Sequence, residues 1–308
     1  MTIGIAALAE RSRNAGATGT GARAIVLVAD RQMTWGEDDL REESEIEKRR
    51  ALVGSWQMLY SGDPDDAEEV ADAMRTLRPS RVRKVAAMRQ FAKEAYRGVR
   101  ERSFDDEVLR PRQLTLADVS GARLGRLPDA LLVDYLRAKV EWERDFGAEL
   151  IFAGFDELRR GTLFSFSDPG VLSGSATDTF QTIGSGAGIA RTRLIRLRAR
   201  ASDPAHVALY KCLDAKFHAE LAATVGPGTD AWIVLPSRTA RYHPHKVRTG
   251  VVRMLRNVFD AETGSAFENR RHLRPDWKVL LERYVNEVLA GRKPSWPPPA
   301  PRRRSQHG

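Results

Sequence analysis

A threonine directly after the initiator methionine can become the first residue of the mature chain, and Thr2 stands there. An N-terminal threonine carries nucleophile and base together: its hydroxyl attacks and its free α-amine takes the proton. With a reference pKa of roughly 7.7–8.0 the amine is matched to neutral pH. The plainer meaning of a penultimate threonine is only that Met1 is trimmed. The segment that gives Thr2 more weight is Val26-Leu27-Val28-Ala29-Asp30, an apolar run closing on a carboxylate.

The remaining residues with chemical potential read as structural. His243 and His245 flank Pro244 in basic surroundings with no third ligand nearby, which predicts a surface loop and no metal site. His206 and His218 share a helical stretch but fall roughly 120° apart around its axis, so they do not share a face. Cys212 lies among apolar helix residues and reads as core. Gly184-Ser185-Gly186 is no phosphate loop, because no Gly-Lys-Ser/Thr follows it.

Strands and helices must hold these residues in place. Residues 2–8 alternate as a strand, 10–23 form a long Gly-, Ala- and Arg-rich hairpin loop, and 24–30 form a strand buried on both faces. Residues 36–47 are polar and acidic and read as an exposed loop; 55–61 form a strand that stops at Gly62. Asp63-Pro64 opens a helix with a cap and a proline at its first position. A second helix follows Pro79, with Val82, Val85, Met88, Phe91, Ala95 and Val99 on one face. Residues 100–126 look irregular, and Pro128 opens another helix. Strands return at 150–153, 162–167 and 180–183, helices at 187–200 and 204–223, a strand at 231–235, and helices at 247–259 and 277–289. Strands, then helices, then strands again predict an α+β protein with antiparallel sheets packed between helical layers.

The chain has 308 residues, 42% of them hydrophobic, and a net charge of +9. Its basic residues are interleaved with acidic ones, aromatics are only 7%, and the densest basic run, Arg302-Arg303-Arg304, ends a Pro-rich stretch, so nucleic acid is not the expected partner. No apolar run is long enough for a membrane span, and the apolar start is too short for a signal peptide. A single cysteine rules out an intrachain disulfide and fits a reducing cytoplasm. Residues 1–240 are expected to form one domain, 241–290 a helical extension packed on it, and 291–308 a disordered Pro/Arg-rich tail.

Five motifs in order resemble the proteasome β-type subunits, members of the N-terminal-nucleophile (Ntn) hydrolases. They are Thr2-Ile3-Gly4-Ile5; Val28-Ala29-Asp30-Arg31-Gln32-Met33-Thr34-Trp35-Gly36; Ser61-Gly62 before a helix; Leu150-Ile151-Phe152-Ala153-Gly154-Phe155-Asp156; and Ile183-Gly184-Ser185-Gly186. The resemblance covers residues 2–236 and implies a four-layer αββα sandwich of two mainly antiparallel sheets between helical layers. It also implies a site in which Thr2 is the nucleophile and Asp30 a buried carboxylate holding a lysine. Counting back without gaps from Ser61-Gly62, that lysine falls on Lys48, whose charge would favour proton loss from the nucleophile; a one-residue slip would put Arg49 there. The Gly62 amide would be the oxyanion donor, and Ser185 would lie beside the N-terminal amine. No cofactor or metal is implied.

Three departures stand out. Registering Gly4 on the family's start moves Thr2 to the family's third position, although the long loop at 10–23 leaves room for Thr2 to face Asp30. Gln32 stands where the family has arginine, and the late Asp-x-x-Ser-Gly motif is replaced by Thr224-Val225-Gly226-Pro227-Gly228, closer to the bacterial Anbu-type relatives. Two functions follow: a threonine hydrolase cleaving peptide or other amide bonds, or a catalytically inactive ring or scaffold subunit of the same fold. Either is expected to form a homo-oligomeric ring. The sequence names neither a substrate nor an unfoldase partner.

Overall fold

The computed structural model describes residues 3–10, 24–35, 40–43, 47–76, 84–145, 148–167, 171–173, 178–221, 225–236, 244–263, 276–294 and 296. Two five-stranded sheets lie face to face. The first is built from β1 (Gly4–Ala9), β2 (Ala24–Asp30), β10 (Phe180–Ile183), β11 (Thr229–Val234) and β12 (His245–Lys246), in the order β10-β1-β2-β11-β12. The second is built from β5 (Arg49–Ala51), β6 (Gln57–Ser61), β7 (Glu149–Phe155), β8 (Gly161–Ser167) and β9 (Val171–Ser173), in chain order. All the strand pairings within these two sheets are antiparallel.

Strand alternation sorts the apolar side chains into layers. On β1 and β2, Ile5, Ala7, Val26 and Val28 face one core, while Ala6, Leu8, Ile25, Leu27 and Ala29 face another. The second set meets Leu59, Ile151, Ala153 and Leu163 of the other sheet, filling the space between the two sheets. The first set meets α4 (Ala187–Arg196), α5 (Ala205–Ala219), α6 (Thr249–Thr263) and α7 (Trp277–Leu289). The outer face of the second sheet, with Met58, Tyr60, Phe152, Phe164 and Phe166, is covered by α1 (Pro64–Arg75), α2 (Val85–Phe104) and α3 (Asp129–Asp145). The result is the four-layer αββα sandwich expected from the sequence.

Several local expectations need revision. The acidic stretch at 36–47 contains β4 (Leu40–Glu43), paired antiparallel with β3 (Gln32–Trp35). Leu-Arg-Glu-Glu has no apolar alternation, but a two-stranded ladder is held by backbone hydrogen bonds and needs none. Residues 100–126 are not uniformly irregular: α2 runs on through Phe104 into a π turn at Asp105–Leu109 and 3-10 turns at Arg110–Arg112 and Gly121–Arg126. Within the stretch assigned to a disordered tail, Pro294 is buried and Trp296 packs edge-on to Tyr284 of α7, ring centroids 5.9 Å apart. Among the described residues no helix is long and apolar enough to cross a membrane.

Candidate active site

Asp30 is 1% exposed at the end of β2, and among the described residues its two carboxylate oxygens accept from three donors. Oδ1 accepts from the Ile3 amide at 3.2 Å and from Lys48 Nζ at 2.8 Å; Oδ2 accepts from the Gly226 amide at 3.3 Å. The Asp30 amide in turn donates to the Ile3 carbonyl at 3.2 Å. A buried carboxylate survives only with such partners, because removing it from water uncompensated is costly.

Lys48 is itself 4% exposed. Its carbonyl accepts from the Tyr60 amide at 3.2 Å, which seats it beside β6 just before β5. Burial lowers its pKa from the ordinary 10.5, opposed by the charge and hydrogen bond of Asp30. The ammonium is thus easier to deprotonate than a surface lysine. Its neighbour Arg49 points elsewhere, over the Trp232 ring at 5.5 Å from the centroid and onto Gln57 Oε1 at 2.6 Å. The geometry therefore selects Lys48 over Arg49 as the partner of Asp30.

Strand register gathers the turns at this same end of the sandwich. Gly4 lies opposite both Ala29 and Ile183, and Ser61 lies opposite Glu149. The Glu149 carboxylate accepts from the Gly184 amide and so ties the two sheets together. Gly184 has φ +89° and Gly62 φ +95°, left-handed values that explain why each turn carries glycine. Gly186 has a different reason: a Cβ there would sit 2.6 Å from Val225 Cγ2 and 3.3 Å from Ile3 Cδ1. The Gly184–Gly186 turn therefore packs against both Ile3 and the loop that reaches Asp30. Gly62 and Ser185 are exposed residues just beyond the ends of β6 and β10. Thr2 lies outside the described residues.

Glu149, Lys216, Glu220 and Arg256 were not singled out by the sequence. Lys216 is fully buried on α5, and its Nζ donates to the carbonyls of Gly226, Pro227 and Gly228 at 2.8, 3.2 and 2.9 Å. The available signal was a charged residue inside the apolar run Leu213-Asp214-Ala215-Lys216-Phe217, which reads as ordinary amphipathic helix until the burial is known. Among the described residues no cluster of His, Cys, Asp and Glu could hold a metal ion. His245 is not in a surface loop: it begins β12, is half-buried, and has Nε2 3.0 Å from the Tyr284 hydroxyl. His243 lies outside the described residues. Cys212 is buried as expected, its thiol pushed up to about 12.

The buried Asp30–Lys48 pair lies at the end of β2, and two stacked antiparallel sheets between helical layers form a proteasome-like fold. The solved structures that share it include Anbu from Yersinia bercovieri, described as an ancestral β-subunit, at TM-score 0.57 and 14% identity over 86% of this chain and 95% of that one. A Gly-1 mutant of Anbu from Hyphomicrobium sp. strain MC1 matches at TM-score 0.55 and 16% identity, covering 87% of this chain and 96% of that one. Anbu from Pseudomonas aeruginosa, solved as a helical assembly, matches at TM-score 0.56 and 15% identity over 86% and 95% of the two chains. No known family profile matches the chain, and no curated protein does.

Proposed function

We propose that the chain is a threonine hydrolase acting on peptide or other amide bonds, with Thr2 as its nucleophile after removal of Met1. The observation that carries this reading is the buried Asp30–Lys48 pair at 2.8 Å with the Ile3 amide on the same carboxylate oxygen. The Ile3 nitrogen is the atom that joins residue 3 to Thr2. Asp30 therefore faces the residue that follows the proposed nucleophile, which favours keeping Thr2 beside the pair over a two-residue slip.

In this mechanism the α-amine of Thr2 takes the hydroxyl proton and the alkoxide attacks the amide carbonyl. Lys48 lowers the proton affinity of the hydroxyl, and Asp30 holds Lys48 in place. The Gly62 amide donates to the oxyanion, and Ser185 orders the amine's hydrogen bonds. Collapse expels the amine half of the substrate with the proton and leaves an acyl ester on Thr2; water then releases the acid. Lys48's lowered pKa supports the proton-sharing role.

The second reading is an inactive ring or scaffold subunit. It is favoured by the absence of the late Asp-x-x-Ser-Gly motif and by the Anbu relative's helical assembly. On either reading we propose self-association, and a sedimentation mass of one chain at micromolar concentration counts against it.

The two readings separate by intact mass and covalent labelling. The hydrolase reading expects loss of Met1 and one adduct per chain from a peptide epoxyketone, which needs both the hydroxyl and the free amine. Thr2→Ala should abolish the adduct while leaving the fold intact. Retention of Met1 would falsify the hydrolase reading, and a trimmed but unreactive wild type favours the scaffold.

A further inference from the structure

The Asp30 oxygen that does not touch Lys48 accepts from the amide of a glycine-rich loop. Residues 225–228 lead into β11 from the α5 side and contain Gly226-Pro227-Gly228. Two glycines give this loop a wide choice of backbone conformations, and the proline contributes no N–H. Yet three successive carbonyls converge on one buried cation. Lys216 Nζ lies 2.8 Å from the Gly226 oxygen, 3.2 Å from Pro227 and 2.9 Å from Gly228, and it also donates to Glu220. Glu220 is shared with Arg256 of α6, whose guanidinium lies 3.8 Å from the Phe217 ring centroid.

An ammonium has three protons to give and no acceptor of its own. Here they are spent on loop carbonyls and one carboxylate, so the loop's carbonyls turn toward α5. Its Gly226 amide points the other way and donates to Asp30 Oδ2 at 3.3 Å, while the Gly228 carbonyl accepts from the Arg31 amide at 3.3 Å as well as from Lys216. The side chain of Val225 is meanwhile seated against the position of Gly186. One lysine thus links α5 to the loop, and the loop's Gly226 amide reaches the end of β2.

We propose that Lys216 is a positioning residue for this site: its ammonium clamps the carbonyls of the 225–228 loop and thereby aims the Gly226 amide at Asp30, fixing the Asp30–Lys48 pair. Its role at the site rests on the hydrolase reading; the clamp itself does not.

The charge state of Lys216 gives the clamp a pH limit. The groups facing Lys216 are Glu220 on its own helix, Arg256 from α6 and Asp30 from β2. Burial brings its pKa from 10.5 down to about 8, partly offset by Glu220. Between those values the unfolded chain binds the extra proton and the folded chain does not, so this group makes the fold more stable as pH rises through that window. The clamp weakens over the same range, because a neutral amine grips carbonyls and a carboxylate less strongly. A lysine that matters only for packing would not loosen one loop while the fold as a whole gains.

Hydrogen exchange on the full chain tests this, in wild type and in Lys216→Met, alongside epoxyketone labelling from pH 6.5 to 9.5. Lys216→Met should lose protection in the 225–229 segment by roughly tenfold or more, with α2 and β6 unchanged. Labelling should slow roughly tenfold to a hundredfold, the cost of a displaced catalytic group. In wild type the segment's protection should fall as pH passes about 8, and in the variant it should not. Unchanged protection at 225–229 in the variant overturns the clamp, as does exchange that quickens evenly over the whole chain. An alkaline loss of labelling that persists in Lys216→Met belongs to Lys48 and overturns the pH assignment. If wild type never labels, the hydrolase reading falls while exchange still decides the clamp. If the variant does not fold, the pH dependence of wild-type protection decides it alone.

Discussion

Asp30 accepts from a lysine and from two backbone amides, so a change there is felt in three segments at once. Asp30→Asn removes the negative charge beside buried Lys48 and should lower the unfolding free energy by about 3–5 kcal/mol, read from a urea titration. A loss under about 1 kcal/mol would mean the pair is solvated. The pair was within reach of sequence reasoning because both members sit near fixed landmarks, the end of an apolar run and the Ser61-Gly62 turn. The residues that hold the surrounding turns were not. Lys216 meets acceptors at 226, 227 and 228, beyond the end of its own helix, and only chain folding brings them round. Glu149 was read as part of no motif, since its partner Gly184 belongs to the other sheet.

At the scale of elements, the glycines in the motifs do different jobs, which spacing alone could not separate. At Gly154 on β7, a Cβ would fall 2.2 Å from the Trp56 ring, so Gly154→Ala should destabilise by roughly 1–3 kcal/mol through overpacking. Thermal unfolding checks this, and a smaller residue at position 56 should restore part of the loss. Helix α1 carries a different strain. Asp63 caps it, accepting from the amides of Asp65 at 2.7 Å and Asp66 at 3.3 Å. Burial first, then Asp63, Glu107, Glu69 and Asp65, pushes Asp66 from 3.8 up to about 6. The folded chain therefore holds a proton that the unfolded chain has released, and stability falls as pH rises between those values. Asp66→Asn should flatten that fall and raise the melting temperature at pH 7. An unchanged slope between pH 4 and 6 would clear Asp66 of responsibility. The helix start was readable from Asp63-Pro64; the crowding of carboxylates was not, because Glu107 comes from the distant π turn.

Across the whole molecule, the order of strands and helices implied two sheets and two helical layers, but not how the carboxyl end is finished. Trp296 packs on Tyr284 and lies against Gly250 of α6, where a Cβ would come within 2.5 Å of the indole. Arg248 donates to its carbonyl at 3.4 Å. Removing 297–308 should leave melting unchanged, whereas removing everything after Ala290 should cost about 1–2 kcal/mol as Tyr284 is uncovered. Equal melting of the two truncations would show that the tryptophan contributes nothing. The sequence hid this contact because a Pro- and Arg-rich composition masks one anchored aromatic.

The position of β1 also has a consequence for how the protein is made. This strand is made before the other described strands, yet it lies inside its sheet, between β2 and β10. Its β2 side can close early, across the hairpin. Its other side must wait for Phe180–Ile183, far along the chain. Until then Gly4–Ala9 presents an open, apolar edge, able to pair with the same edge of another nascent copy. That pairing helps to assemble the carboxylate end of the sandwich, and such long-range closure is intrinsically slow. Biogenesis, rather than equilibrium stability, is where this fold is most exposed to failure.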